Sequence, residues 1–236
     1  MLLRTEHSLL KKIAFWSFAI ICAQAFILSA AFAQSSSQIA AATSRRVKGR
    51  TLVSSSLPPL RIKFDKAFKY VGSQKFILYE RAQVEQYFFV DADKQKRIRR
   101  MFMLQFEGYL PKIEGAYDYP ITKTIDLGGQ SYLANAEIVP SVPTALKGNP
   151  QSDIARAAAF LESKGYRVNE AIAFQRFVRL VDEAKRNEFI LLYIEDLSGT
   201  GLTAAELAES ERAASQREKA LAELSNRALK NFKILK

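Results

Sequence analysis

The sequence is poor in the side chains on which many enzymes depend. Its 236 residues include one histidine, one cysteine and one tryptophan. All three lie within the first 33 positions, as His7, Trp16 and Cys22. A chain that loses this segment has no imidazole and no thiol. That excludes Ser-His-Asp and Cys-His catalysis, zinc or haem bound by Cys or His, and a disulfide framework.

The amino-terminal segment has the features of a secretory signal peptide in the usual order. Three cations precede an apolar run over residues 13–32, and residues 31–33 read Ala-Phe-Ala, the small-residue pattern of a cleavage site. We therefore predict that residues 1–33 are a signal peptide and that the protein is extracytoplasmic, either periplasmic or secreted. The apolar run is also long enough to span a bilayer, which leaves an uncleaved anchor as the alternative.

Positive charge is concentrated in two segments of the remaining chain. The whole sequence has 35 Lys and Arg against 24 Asp and Glu, a net charge of +11. Residues 34–59 and residues 227–236 each contain four cations and no acid, whereas residues 60–226 are close to neutral. A nucleic-acid-binding protein usually carries its basic stripe on the folded body, so we expect no nucleic-acid partner. Membrane contact is expected only through the basic tails or an uncleaved anchor.

The composition divides the chain after the predicted signal peptide. Residues 34–59 are rich in Ser and Ala and end in Pro58-Pro59. Such a segment buries little apolar surface against the entropy of ordering it. We predict a flexible basic linker at 34–59 and a single domain at 60–236.

Alternation of apolar and polar residues begins at Leu60 and predicts strands. The strands are expected at residues 60–64, 76–90, 98–106, 121–127, 131–139, 174–181 and 189–195. A strand as long as 76–90 usually bends around a helix or a ligand cavity.

Two helices are predicted from their boundary residues. Asn149-Pro150 is typical of a helix start and Gly165 of its end. Thr203 and Glu206 have the spacing of a capping box, which opens a long carboxy-terminal helix reaching Asn231. Together these elements predict an α+β fold: a curved antiparallel sheet of about seven strands, packed on one face by the middle helix and the long carboxy-terminal helix.

Three charged residues fall on the otherwise apolar parity of their predicted strands: Glu80, Arg100 and Arg176. A charge buried there must pair, reach solvent or line a cavity. We predict that the three converge, and we take them with Tyr79 and Tyr87 as candidate ligand-binding residues. The alternative is a structural ion pair or a position at the sheet rim. A cationic turn also faces Tyr87 across the hairpin, formed by Lys94, Lys96, Arg97, Arg99 and Arg100.

Carboxylates are the remaining acid-base groups, and a glycoside hydrolase needs two of them. The candidates are Glu80, Glu107 and Glu195, but no sequence spacing pairs them. Asp91 and Asp93 lack the rest of a calcium-binding loop, and the Gly-x-Gly at 199–201 lacks the third glycine of a dinucleotide motif. We expect no catalytic residue, no cofactor and no metal.

Three functional classes are compatible with these features. The preferred interpretation is an exported, non-catalytic binding protein that holds a small amphipathic or anionic ligand between the sheet and a helix. The alternatives are a cell-envelope interaction or structural protein, for which the partner is an envelope component, and a carboxylate-based hydrolase. A cavity, an exposed apolar patch, or two carboxylates converging in a cleft would distinguish the three.

The signal-peptide interpretation predicts the amino terminus of the mature protein. Cleavage after Ala33 leaves Gln34 as the first residue. Amino-terminal sequencing of protein purified from its own envelope should therefore begin at Gln34. A terminus at Met1 would instead show that the apolar run is retained as an anchor.

Overall fold

A computed structural model describes residues 44–197 and 211–235, and Arg45–Lys236 belong to one compact unit. The strands are β1 (Arg45–Lys48), β2 (Thr51–Ser54), β3 (Leu60–Phe64), β4 (Lys69–Leu78), β5 (Ala82–Ala92), β6 (Ile98–Tyr109), β7 (Thr124–Asp126), β8 (Ser131–Val139), β9 (Ile172–Leu180), β10 (Asn187–Asp196) and β11 (Phe232–Leu235). The helices are α1 (Val142–Gly148), α2 (Asp153–Ser163) and α3 (Glu211–Lys230). The predicted signal peptide, the capping box at 203–206 and the Gly-x-Gly at 199–201 lie outside the described residues.

The largest element is a seven-stranded antiparallel sheet in the order β4-β5-β6-β10-β9-β8-β7. Its centre is formed by the long strands β5, β6 and β10. Residues 82–91 of β5 pair without a break with β6, and so do residues 187–195 of β10. The predicted α+β class and the antiparallel sheet are confirmed. The strand predicted at 60–64 is not part of this sheet, because it pairs in a second one.

The strand predicted at 76–90 is two strands joined by a tight turn. Tyr79 and Glu80 both have positive φ, at 49° and 58°, and the Arg81 N–H donates to the Leu78 carbonyl at 2.9 Å. Two consecutive residues with positive φ are the geometry of a type I′ hairpin turn, which Asn-Gly usually occupies. Tyr-Glu is not a typical turn sequence, and the alternation of apolar and polar residues continues through it. The turn was therefore not predicted from the sequence.

A second sheet of four strands has the order β1-β2-β3-β11. Its first two strands fall inside the segment predicted to be a flexible linker, so that prediction is wrong for residues 45–54. Leu52 is fully buried and the Arg45 guanidinium lies 3.2 Å from the buried Glu85 carboxylate. Alternate residues of these short strands therefore contribute to the core, although the segment as a whole has a linker-like composition.

One face of the seven-stranded sheet packs against the four-stranded sheet and α3. We call it the α3 face; its buried residues include Tyr87, Phe89, Phe102, Phe106, Phe177, Phe189 and Tyr193. The covering layer supplies Phe64, Phe68, Leu224, Ala228 and Phe232. The ring centroid of Phe102 lies 4.8 Å from that of Phe64 and 5.8 Å from that of Phe232. This face therefore holds an aromatic core.

The opposite face, which we call the α2 face, packs against α2. Ala157 and Leu161 contact a second buried cluster that includes Phe88, Met101 and Met103. The prediction that both helices cover one face is wrong. Nearly every residue of β5 and β10 is buried, on both parities, and a sheet that is apolar on both sides must be covered on both sides.

The helix boundaries follow their capping residues. The Ser152 hydroxyl accepts from the Ala155 N–H at 3.1 Å, so α2 begins three residues after the predicted Asn149-Pro150 start. The short helix α1 lies in a segment for which no helix was predicted. The carboxy-terminal helix is confirmed over the described residues 211–230. None of the helices in the described ranges is long and apolar enough to cross a membrane.

The last strand should contribute strongly to stability. Phe232 is 7% exposed and packs on Phe102 and Phe177. Phe232→Ala leaves a cavity in the aromatic core and should lower the free energy of unfolding by about 3 to 5 kcal/mol. Urea denaturation measures this loss. The exposed neighbour Lys233 provides the control, since Lys233→Ala should change stability by less than about 0.5 kcal/mol. Equal effects of the two variants would contradict the packing of β11.

Candidate functional site

An open cleft of about 830 Å³ lies where the ends of β5, β6 and β10 meet α3. We call it the cationic cleft; it is lined by Lys66, Ala67, Lys69, Val90, Asp91, Ala92, Asp93, Lys96, Arg99, Arg100, Tyr166, Glu195, Asp196 and Arg227. Six of these residues are cations and four are acids. A volume of this size is in the range of small-molecule binding sites.

Strand register creates a row of alternating charge along the cleft. Asp91 of β5 lies opposite Arg100 of β6, and Arg100 lies opposite Glu195 of β10. All three belong to the α3 face of the sheet. Because neighbouring strands place opposite residues within about 5.5 Å of each other, the sheet itself brings the unlike charges together.

Asp91 anchors the two arginines of the row. Its carboxylate accepts from Arg99 at 2.5 Å and from Arg100 Nε and Nη2 at 3.0 and 2.7 Å. Burial acts to raise the pKa of Asp91, but the hydrogen bonds from both arginines outweigh it and hold the pKa below its usual value. Asp91 is therefore a carboxylate at neutral pH, and it fixes the Arg100 side chain.

Glu195 is held in the same way from the helix side. Arg227 of α3 donates through Nε to both carboxylate oxygens, at 3.0 and 2.9 Å, and the buried Tyr193 hydroxyl donates to the same group. The hydrogen bond to Glu195 raises the pKa of Arg227. This ion pair joins α3 to the central strand and leaves Glu195 fully engaged.

Unlike the arginines, the lysines of the cleft form no ion pair with a carboxylate of the described residues. No carboxylate oxygen of the described residues lies within 4.0 Å of Lys66, Lys69 or Lys96. Lys66 and Lys69 are exposed, and the Lys96 ammonium donates to the Lys164 carbonyl and lies 5.3 Å from the Tyr166 ring centre. The cleft is thus lined both by ion-paired residues and by ammonium groups that form no ion pair with a described carboxylate.

Apolar space is scarce under α2. The gap between α2 and the sheet is lined by Met101, Met103, Leu161 and neighbouring residues, and it has a volume of about 40 Å³. A lipid-like ligand does not fit there. A larger groove of about 530 Å³ lies between α3 and strands β7 to β9, where Leu221 and Phe177 alternate with Gln175 and Ser225.

The structure does not bring the five predicted ligand-binding residues together. Arg100 lines the cationic cleft on the α3 face, whereas Arg176 projects from the α2 face and donates to the Asn135 side chain at 2.8 Å. Glu80 is exposed in the turn between β4 and β5. The unrecognised turn at 79–81 removed Glu80 from the strand. Arg100 and Arg176 lie on opposite faces because parity within one strand does not fix its register against another.

The two tyrosines are also separated. Tyr79 is 47% exposed and its hydroxyl pairs with the Asn149 amide, at 2.8 Å as acceptor. Tyr87 is buried on the α3 face and donates to Glu85 at 2.9 Å. Burial, together with the nearby Glu85 carboxylate, raises the pKa of Tyr87, so the phenol stays protonated. Neither tyrosine lines the cationic cleft.

Some residues of the cleft were foreseen and others were not. The cationic turn supplied Lys96, Arg99 and Arg100, which were visible as a charge run. Lys66 and Lys69 follow the predicted strand at 60–64 as ordinary surface lysines, and only the fold shows that they face Arg227 of the distant helix. No local sequence signal identifies such a convergence.

The three carboxylates considered for hydrolysis do not converge. Glu195 is on the α3 face, Glu107 is on the α2 face and Glu80 is in the exposed turn. Instead Glu107 lies opposite Glu188 across β6 and β10. Tyr117 donates to Glu107 at 3.0 Å, and Tyr119 donates to Glu188 at 2.7 Å. The pair thus holds the irregular segment between β6 and β7 against the sheet.

Burial changes the protonation of this carboxyl pair. It raises the pKa of Glu107 to about 7 and that of Glu188 to about 8. The hydrogen bonds from the two tyrosines offset only part of this increase. The mutual repulsion of Glu107, Glu188 and Asp153 acts in the same direction as burial. Near neutral pH the pair therefore retains a proton.

Within residues 44–197 and 211–235 no three His, Cys, Asp or Glu side chains are arranged to hold a metal ion. The chain matches no protein-family model, no curated protein and no solved structure. Function must therefore be inferred from the geometry of the cleft.

The carboxyl pair predicts how stability depends on pH. Both groups bind a proton more tightly in the folded chain than at their ordinary pKa of 4.5. Their contribution is fully present below about pH 4.5 and is lost as pH rises through 7 to 8, on the order of 3 to 5 kcal/mol for each group. Glu188→Gln should reduce this loss between pH 5 and pH 8 in urea denaturation.

Two features make this measurement specific. The described residues contain no histidine, the side chain that ordinarily titrates in this range. Glu183 is exposed in the turn before β10, so Glu183→Gln removes the same charge without touching the pair. If Glu188→Gln and Glu183→Gln give the same pH profile as the wild type, the raised pKa values are contradicted.

Proposed function

We propose that the protein is an exported, non-catalytic binding protein that holds a small anionic ligand in the cationic cleft. The observation that supports this is the pairing pattern of its charges. The carboxylates of Asp91 and Glu195 are satisfied by arginines, whereas Lys66 and Lys69 have no carboxylate of the described residues within 4.0 Å. An anion entering the cleft meets ammonium groups without displacing an existing ion pair.

The paired residues have a separate role in this proposal. Arg100 and Arg227 are held by carboxylates, so they keep the shape of the cleft and supply a fixed positive potential. Lys66 and Lys69, which are exposed, are placed to donate hydrogen bonds to ligand oxygens. Hydrogen bonds to charged groups contribute about 1.5 to 3 kcal/mol each, more than neutral ones.

Binding rather than catalysis is favoured by the state of the acidic groups. Glu195, the acid of the cleft that was considered for hydrolysis, is engaged by Arg227 and Tyr193. A hydrolase of this type needs two carboxyl groups facing the same substrate. The pair Glu107–Glu188 lies on the other face of the sheet, and each carboxyl accepts a hydrogen bond from a tyrosine hydroxyl.

Titration with simple anions tests the proposal. Inorganic phosphate, pyrophosphate and citrate are added to the purified protein, and heat of binding is measured by calorimetry. Lys66→Gln and Lys69→Gln should each weaken binding about tenfold or more, because each removes one charge-assisted hydrogen bond. Lys112→Gln and Lys147→Gln are the matched controls, since both lysines are exposed outside the cleft. Equal losses in all four variants would contradict a site in the cleft.

Native mass spectrometry of protein purified from its own envelope separates the classes of ligand. A retained phosphorylated or carboxylated compound supports the cleft. A retained lipid would instead point to the groove between α3 and strands β7 to β9. No retained mass together with no binding heat for the three anions would contradict the proposed function.

A further inference from the structure

The outer face of the four-stranded sheet has an unusual composition. Pairing aligns Arg46, Val53, Arg61 and Leu235 in one row and Lys48, Thr51, Lys63 and Lys233 in the next. We call these eight residues the outer sheet face. Their cationic members are all exposed, while the alternate residues, among them Leu52, Ile62 and Phe64, are buried on the inner side.

The charge of this face has a single sign. Five of its eight positions are Lys or Arg and none is acidic. No carboxylate oxygen of the described residues lies within 4.0 Å of any of the five cations. By contrast, Arg45 on the inner side of the same sheet contacts Glu85 at 3.2 Å. An inward cation of this sheet thus has a carboxylate partner on the neighbouring sheet, whereas the outward cations have none among the described residues.

An adjacent groove extends the cationic surface. It has a volume of about 330 Å³ and is lined by Arg50, Lys66 and Lys230 together with Lys63 and Lys233 of the outer sheet face. Asp65 is the single acid among its lining residues. Lys66 also lines the cationic cleft, so the positive surface continues from the sheet to the cleft.

We propose that the outer sheet face binds the anionic lipid headgroups of a membrane surface. Charge complementarity supports this, because several clustered Lys and Arg residues are the usual signature of binding to anionic lipid. The two aliphatic positions, Val53 and Leu235, suit contact with the headgroup region. The inference stands apart from the small-anion site, which depends on Lys66 and Lys69.

The sequence places this face close to an apolar segment. The run at 13–32 is followed by residues 33–44 alone before β1 begins. A chain of that length spans at most about 40 Å even when extended. Retention of the run as an anchor would therefore keep this face within reach of the bilayer.

A nucleic acid is the competing polyanion, and the face fits it less well. Proteins that bind single strands stack the bases on aromatic side chains. The outer sheet face has no aromatic residue, and the Phe residues of the same strands, Phe64 and Phe232, are buried on the inner side. Duplex binding through phosphates alone remains an outcome for the experiment to detect.

Vesicle sedimentation tests the proposal with protein purified from its own envelope. Partition is compared between phosphatidylcholine vesicles and vesicles containing phosphatidylglycerol, so that any contribution of the apolar run is common to both. The variant carries Lys48→Gln, Lys63→Gln and Lys233→Gln together. At about fivefold per charge it should lose on the order of a hundredfold in partition to the anionic vesicles. Added salt should weaken the wild type in the same assay.

The control carries Lys112→Gln, Lys147→Gln and Lys219→Gln, an equal loss of charge at exposed positions outside this face. It should retain most of the partition. The thermal transition of both variants, followed by circular dichroism, should match the wild type because all six side chains are exposed. Equal losses in the two variants, no preference for anionic over neutral vesicles, or tighter binding to duplex DNA than to the vesicles would overturn the proposal.

Discussion

The pairing of β11 with β3 is the interaction on which the architecture depends. It sets the carboxy-terminal residues Phe232–Leu235 beside Leu60–Phe64 and completes the four-stranded sheet. That sheet then covers the α3 face, where Phe102 contacts both Phe64 and Phe232. Because α3 ends immediately before β11, the same pairing holds Arg227 against Glu195. The packing of the aromatic core and the position of Arg227 in the cationic cleft therefore both depend on the pairing of β11 with β3.

This arrangement also decides where charge is found. Two basic segments far apart in the sequence are brought into one sheet, in which β1 and β11 form the opposite edges. On the inner side of the layer, cations meet carboxylates, as Arg45 meets Glu85 and Arg227 meets Glu195. On the outer side of the layer, the cations are exposed to solvent. Repulsion between the outward cations is tolerable at the surface because solvent screens it, while the inward cations need partners.

The sequence predicted the parts of the fold that depend on local pattern. Long segments of alternating apolar and polar residues predicted β6, β8, β9 and β10, and a helix-forming composition predicted α3. It did not predict β1, β2 or β11, because strands of four residues show too little alternation and β11 depends on a partner far away along the chain. The turn at Tyr79–Glu80 was missed since its residues are not turn formers.

The sites show the same division between local and long-range information. Arg100 was recognised from its parity, but its partner Asp91 was considered only as part of an incomplete calcium-binding loop. The pair Glu107–Glu188 depends on the register of two strands that are separated along the chain by three strands and two helices. Neither spacing nor composition encodes such a register. Sequence reasoning thus identified unusual charges more readily than it identified their neighbours.

The position of β11 imposes an order on how the domain is completed. A chain that emerges gradually from a ribosome or a translocation pore presents Leu52, Ile62 and Phe64 well before residues 232–235. Until those last residues arrive, β3 keeps an open edge and the aromatic core lacks one wall. Folding of this layer therefore waits until residues 232–235 have emerged. Under the proposed export this delay is useful, since a chain must remain extended while it is threaded across a membrane.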